Sequence, residues 1–394
     1  MQPLKGMKVV DLSKVLAGPL CAQYLGELGA DVIKVEPIGK GDDTRAWPPQ
    51  RAGQSAVFTS MNHNKRSLAV DLKRPRGRAL VHELVERADI VLQGFGGDTA
   101  ARLAVDHRSL SALNPRLIYC EISGYGRTGP LGQQPGYDVM LQAFSGMISS
   151  MGEGGGRYAR ASFSPVDIGT GMLGLSGVLA AVVERGRTGK GVYVELSLLD
   201  TALGFMTYMA ESYWSSGRDP LPMGTAHPTM CPYQVFQASD GPVMLGAGND
   251  PQWRRFCAVA GLEAFVDHPD FATNALRVQN MPRTVALVQQ QFATRTAAEW
   301  IEALRAADVP CSPIQSLSQA LAHPQVAERG LIVETQHQTL GAWKHIGLPV
   351  KFQHADRAAT RPPPLLGEHT DEILAELGYG DVDIHALRAD AVVA

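Results

Sequence analysis

The first third of the chain alternates short apolar, β-branched runs with stretches of helical spacing. No other feature narrows its possible folds as much. "MKVVDLS" (7–13), "DVIKVE" (31–36), "SLAVDL" (67–72), "IVLQGF" (90–95) and "LIYCEIS" (117–123) read as strands. Between them, "PLCAQYLGELGA" (19–30) has helical apolar spacing and ends on Gly29. "PRGRALVHELVERAD" (75–89) is a helix with proline near its start. Strand then helix, repeated, specifies an α/β fold: a parallel sheet with helices on both faces. A ligand is expected in the crevice at the strand C-termini. This large domain is assigned to residues 1–205.

The texture changes near residue 225. "PYQVFQASDGPVMLGAG" (232–248) reads as a hairpin turning at Asp240-Gly241, and helices follow at 282–295 and 296–308. A smaller α+β domain is assigned to 225–320. A C-terminal segment, 325–394, carries a rigid proline stretch and a short helix within "RPPPLLGEHTDEILAELG" (361–378).

Composition removes several function classes. A net charge of −3 announces no basic face, so nucleic acid is not an expected partner. The five cysteines are scattered and form no C-x-x-C, as in a reduced, cytosolic protein. No apolar leader precedes the first strand. The longest apolar stretch, "IGTGMLGLSGVLAAVV" (168–183), is short of a membrane span and reads as a buried helix. The eleven histidines are dispersed and there is no H-E-x-x-H, so no metal is expected.

Two stretches bear on chemistry. In "ISGYGRTGP" (122–130), Gly124, Gly126 and Gly129 spell G-x-G-x-x-G after a strand. A dinucleotide site would need a helix to open on those glycines. Pro130 follows directly and no helix opens until about Tyr137, so a close-approach loop fits better than a dehydrogenase turn. In "SPVDIGTGM" (164–172), Asp167 stands at the N-cap of an apolar helix. It can serve only to satisfy the first free N–H groups. It can also be an ionised carboxylate that attacks an acyl group, with Gly169 and Gly171 admitting the ligand. Composition does not choose between these.

Several motifs in order resemble one family, the class III (CaiB/BaiF-type) CoA-transferases. They are "LAGPLCAQYLGELGADVIKVE" (16–36), "GDDTR" (41–45), "NKRSLAVDLK" (64–73), "NPRLIYCEISGYGRTGP" (114–130), "PGYDVMLQAFSG" (135–146), "VDIGTG" (166–171) and "RPPPLLGEHT" (361–370). Within that family, "GTAHP" (224–228), "PYQVF" (232–236), "GAGND" (246–250) and "LRVQN" (276–280) look most like the succinyl-CoA:dicarboxylate, glutarate-type branch.

The resemblance implies a Rossmann-like large domain completed by the C-terminal tail, and an interlocked homodimer. It implies Asp167 as nucleophile, coenzyme A esters as substrates with no tightly bound cofactor, and no membrane partner. It assigns CoA contacts to Leu16, Ala17, Val70, Lys73, Phe95, Gly96, Arg102, Tyr137 and Asp138, and substrate contacts to Gly224 and His227. Leu16 and Ala17 match the first βα turn, Lys73 and Arg102 the phosphate-holding positions, and Phe95 the adenine neighbour. One departure stands out. The family usually carries E-N-F-x-P-G where this chain has "QGFGG" (93–97), with Gly94 and Gly97 in place of Asn and Pro. That removes an Asn contact to CoA and implies a looser loop.

Two other readings remain open. An α-methylacyl-CoA racemase of the same fold would place His where Tyr137 stands, as a base for the α-carbon. A CoA-ester-binding protein without catalysis would need no nucleophile at all.

Overall fold

The computed structural model describes residues 2–353 and 360–394. Six strands form one parallel sheet: β1 (Lys8–Asp11), β2 (Asp31–Glu36), β3 (Lys65–Ala69), β4 (Ile90–Gln93), β5 (Ile118–Ser123) and β6 (Val192–Ser197). Their order is β6–β5–β4–β1–β2–β3, and every neighbouring pair is parallel. The protein is therefore α/β, and the direction of winding reverses between β1 and β4.

Both faces of the sheet are covered, which is why its strands read as nearly continuous apolar runs. On one face Val9, Val32, Ile90 and Ile118 pack with Leu20 and Leu25 of α1 (Ala17–Glu27). On the other, Val10, Ile33, Val91 and Tyr119 pack with Leu80 and Leu84 of α2 (Pro75–Glu86) and with Ile373 and Leu387 near the C-terminus. The last residues run along the sheet edge: Val393 bridges Val70, and Ala394 N–H donates to Ala69 O at 3.1 Å. Part of the segment 325–394 read from the sequence, residues 354–359, lies outside the described residues.

Three further helices frame the site: α3 (Asp138–Phe144), α4 (Pro165–Thr188) and α5 (Leu198–Phe205). The reading of 168–183 as a buried helix needs correction. The helix is longer, 24 residues, and by length and composition it is apolar enough to cross a membrane. One face packs into the sheet core through Val166, Val178 and Ala181. Gly171 meets α1 so closely that a Cβ there would lie 2.7 Å from Ala17 O. The opposite face leaves Met172, Leu173 and Val183 exposed.

The chain divides into two compact units. The first is Met1–Met147, Ala161–Ser212 and Arg329–Ala394; the second is Ile148–Arg160 and Tyr213–Glu328. The second holds an antiparallel sheet, β7 (Tyr233–Gln237), β8 (Pro242–Gly246) and β9 (Cys311–Pro313), in that order. The expected hairpin is present, with Ala238 N–H donating to Gly241 O across Asp240-Gly241. Trp253, Phe256, Phe292 and Trp300 stack in the core of this unit.

Candidate active site

The reversal between β1 and β4 opens a crevice at the strand C-termini, and the loops after β1, β4 and β5 line it. The cleft has a volume of about 360 Å³. Its walls include Ser13–Gly18 after β1, Gly94–Gly96 after β4, Ser123, Gly124 and Arg127 after β5, and Gly136 and Tyr137 ahead of α3. Asp167 lies in the same lining. A Cβ on Gly124 would fall 2.6 Å from Gly136 Cα, so the two loops meet only because both residues are glycine.

The first βα turn is built on buried charge. Val15 takes φ +71°, costly for a β-branched residue, and its N–H donates to the Asp42 carboxylate at 3.3 Å. Ser13 N–H donates to Asp11 at 3.0 Å, and Lys34 Nζ donates to Ser13 O at 3.0 Å. Beneath the turn Lys65 pairs with Asp11 at 2.8 Å and Lys34 with Asp42 at 3.0 Å, all four side chains being buried. Burial alone would raise the Asp11 carboxyl, but Lys65 and Lys34 hold it below its ordinary value. Burial pushes Lys65 down to about 8 even with Asp11 beside it. The signal for this network was in the sequence: a lysine inside each apolar strand, at 34 and 65, needs a buried partner.

Asp167 is not an N-cap. Ser164 holds that position, and Asp167 is the third residue of α4, within its first turn. The cap is supplied from elsewhere. Asp138, buried at the start of α3, accepts Val166 N–H at 2.8 Å and Asp167 N–H at 3.1 Å. Its other oxygen accepts Gln142 Nε2, and Gln142 in turn accepts Ala161 N–H at 3.1 Å. With the helix N–H groups already bonded, the Asp167 carboxylate has no hydrogen-bond donor among the described residues and stands free in the cleft. Burial, and then the neighbouring Asp138 charge, raise its pKa to about 7.

A second hollow, of about 330 Å³, adjoins the first through Lys14, Phe95 and Thr99, which line both. Its walls include Leu12, Val35, Val70, Leu72, Phe95 and Leu103. Lys14, Lys73 and Arg102 bring three cations to the same hollow. An apolar slot beside several cations suits a flat heterocycle carrying phosphates.

Thus the structure brings Leu16, Ala17, Phe95, Gly96, Tyr137 and Asp167 together in one lobe, and Val70, Lys73, Phe95 and Arg102 in the adjoining one. Asp138 departs from the expected CoA contact: it lines neither lobe, and its carboxylate is used on the α4 N-terminus. Gly224 and His227 belong to the second unit. There Gly224 N–H donates to Gly152 O at 2.7 Å, and the His227 ring lies 5.5 Å from that of Tyr233. The sequence reading missed Lys14, Thr99 and Arg127. It also expected a loose loop at Gly94 and Gly97. Instead Gln93 Oε1 accepts Phe95 N–H, and Arg127 donates to Phe95 O at 2.7 Å and Gly97 O at 3.3 Å.

Residues 4–370 match the model of CoA-transferase family III. The chain is 35% identical, over 395 residues, to succinyl-CoA:glutarate CoA-transferase of Homo sapiens, spanning 100% of this chain and 90% of that protein. It is 38% identical over 382 residues to succinate–glutarate CoA-transferase of Agrobacterium fabrum, spanning 95% and 96% of the two. A crystal structure of a CaiB/BaiF family protein from Brucella suis superposes with a TM-score of 0.84 at 36% identity, covering 95% of this chain and 99% of that one.

Proposed function

The chain belongs to CoA-transferase family III, and on that premise we propose that it moves CoA from succinyl-CoA to a short dicarboxylic acid of the glutarate, itaconate or mesaconate kind, with Asp167 as nucleophile. The observation that carries the reading is the free carboxylate of Asp167 in a cleft continuous with a cation-bearing apolar slot. The adenine ring would lie in the slot against Phe95 and Val70, with the phosphates on Lys73, Arg102 and Lys14. The pantetheine arm would pass Leu16, Ala17, Gly96 and Tyr137 toward Asp167.

The chemistry follows from a carboxylate that serves in turn as nucleophile and leaving group. An Asp167 oxygen attacks the donor thioester carbonyl; the C–S bond breaks and CoA leaves as thiolate, giving a mixed anhydride. The thiolate attacks the Asp167 carbonyl carbon of that anhydride and expels the donor acid, leaving an aspartyl-CoA thioester. The acceptor carboxylate attacks this thioester, re-forming an anhydride and freeing the thiolate. Attack of the thiolate on the acceptor's acyl carbon releases Asp167 and the new acyl-CoA. A carboxylate raised to about 7 is a stronger nucleophile than an ordinary one once ionised.

Tyr137, standing where a racemase of this fold would place histidine, is 62% exposed at the rim of the cleft. The exposed apolar face of α4 at Met172, Leu173 and Val183 supports a homodimer in which a second copy covers it. The deciding experiment incubates the protein with succinyl-CoA and a panel of free C4–C6 dicarboxylic acids and separates the thioesters by chromatography and mass. A new acyl-CoA formed with equal loss of succinyl-CoA, and without free CoA, is the expected result. Exchange with none of the acids would overturn the proposed donor and acceptor.

A further inference from the structure

We propose that Arg127 is the positioning residue of the acyl-CoA site: its guanidinium holds the Gly94–Gly97 loop, and with it Phe95, in the wall shared by the two lobes. The inference rests on the acyl-CoA reading above. It also gives a role to the G-x-G-x-x-G stretch, in which Arg127 follows Gly126.

The loop has little to fix it from within. Three of its four residues are glycine, and Gly97 sits at φ +56°. Yet its polar atoms are tied down. The Gln93 side chain accepts Phe95 N–H, while Arg127 donates one guanidinium arm to Phe95 O and the other to Gly97 O. Arg127 is itself anchored. Its Nε donates to Glu121, which also receives the Tyr193 hydroxyl at 3.0 Å, and its backbone N–H donates to Glu195 at 3.0 Å.

Those two glutamates are paired across β5 and β6, so like charges stand side by side two residues before the strands end. The arginine lies against both. Gly126, at φ +88°, makes the turn that brings Arg127 back over the sheet edge. Spanning two carbonyls and a carboxylate needs a planar fork; a lysine ammonium, a single point of charge, cannot span them.

Phe95 reaches both lobes, so the loop's order before ligand arrives sets how much ordering cost binding must meet. Removing the clamp therefore weakens the grip on the CoA moiety. It leaves the bond-making at Asp167 and the acceptor acid untouched.

The test uses Arg127→Lys, which keeps the charge and loses the fork, and Glu121→Gln, which keeps the fork and loses its anchor. Three readouts are compared with wild type: CoA affinity by calorimetry, donor and acceptor KM with kcat, and amide hydrogen exchange across residues 95–98. For Arg127→Lys we expect donor KM and CoA Kd to rise about tenfold, with kcat and acceptor KM within about twofold, and faster exchange in the loop. Glu121→Gln should move the same quantities in the same direction by less. It decides the matter if Arg127→Lys does not fold. Unchanged exchange and affinity in both variants overturns the clamp, as does a fall in kcat at unchanged affinity. Wild-type protein that neither binds CoA nor exchanges acyl groups overturns the acyl-CoA reading. Protein that binds and exchanges, with variants that behave as wild type, overturns the clamp alone.

Discussion

Two carboxylates of the first unit show how little burial alone says about a charged group. Asp11 is completely buried beneath the first βα turn, and its pKa lies below the ordinary value because Lys65 and Lys34 face it. Asp167 is only partly buried at the start of α4, and its pKa rises to about 7 because burial meets another carboxylate, Asp138, rather than a cation. Asp11 has become part of the scaffold, bonded on every side. Asp167 has been left without a donor, facing the cleft. The sign of the neighbouring charge separates a carboxylate held ionised in the scaffold from one whose pKa is raised in the cleft.

The sharpest break in this comparison is Asp167→Asn, which keeps size and removes the proposed nucleophile. We expect kcat to fall at least about a thousandfold in the CoA-ester exchange assay, with the fold intact by circular dichroism. The stability effect has a sign. A carboxyl raised above its unfolded value stabilises the fold below the unfolded pKa, and that contribution is lost as pH rises through about 7. The melting temperature of Asp167→Asn should therefore gain on wild type as pH rises through that value.

Asp11→Asn should do the opposite. Removing one partner of a buried pair costs about 3–5 kcal/mol, since Lys65 and Lys34 lose their counter-charge. Here the folded pKa lies below the unfolded one, so the stability Asp11 supplies is present at neutral pH and is lost in acid. The gap between wild type and variant in thermal melts should hold near neutrality and close below about pH 4. A variant as stable as wild type at neutral pH would erase the distinction drawn above.

Smaller effects sharpen it. Asp138→Asn removes the second cause of the Asp167 shift while keeping an acceptor for the α4 N–H groups. The acid limb of kcat/KM, expected near pH 7 in wild type, should move down by about one pH unit in this variant. A limb that stays in place assigns the whole shift to burial. The least effect is expected from Lys73→Ala in the apolar lobe: a donor KM raised about two- to fivefold at low salt and less at high salt, with kcat unchanged.

Most of the sheet could be read along the chain, because a strand's apolar pattern and a helix's spacing are local. The parallel strands from β1 to β5, the helices α1 and α2, and the β7–β8 hairpin all lie close to where those patterns put them. The resemblance carried by separate motifs also named Asp167 and eight of the other residues that line the two lobes.

What needed three dimensions was every relation between groups far apart in sequence. The use of Asp138 as the cap of α4 and the clamp from Arg127 to the Phe95 loop each join residues roughly 30 positions apart. The sequence by itself determined which side chains were available and which segments would be strands or helices. Only the tertiary structure decided which carboxylate met a lysine and which met another carboxylate. Hydrogen bonds and Coulomb forces act through a few ångströms of space, and chain separation carries no record of that distance.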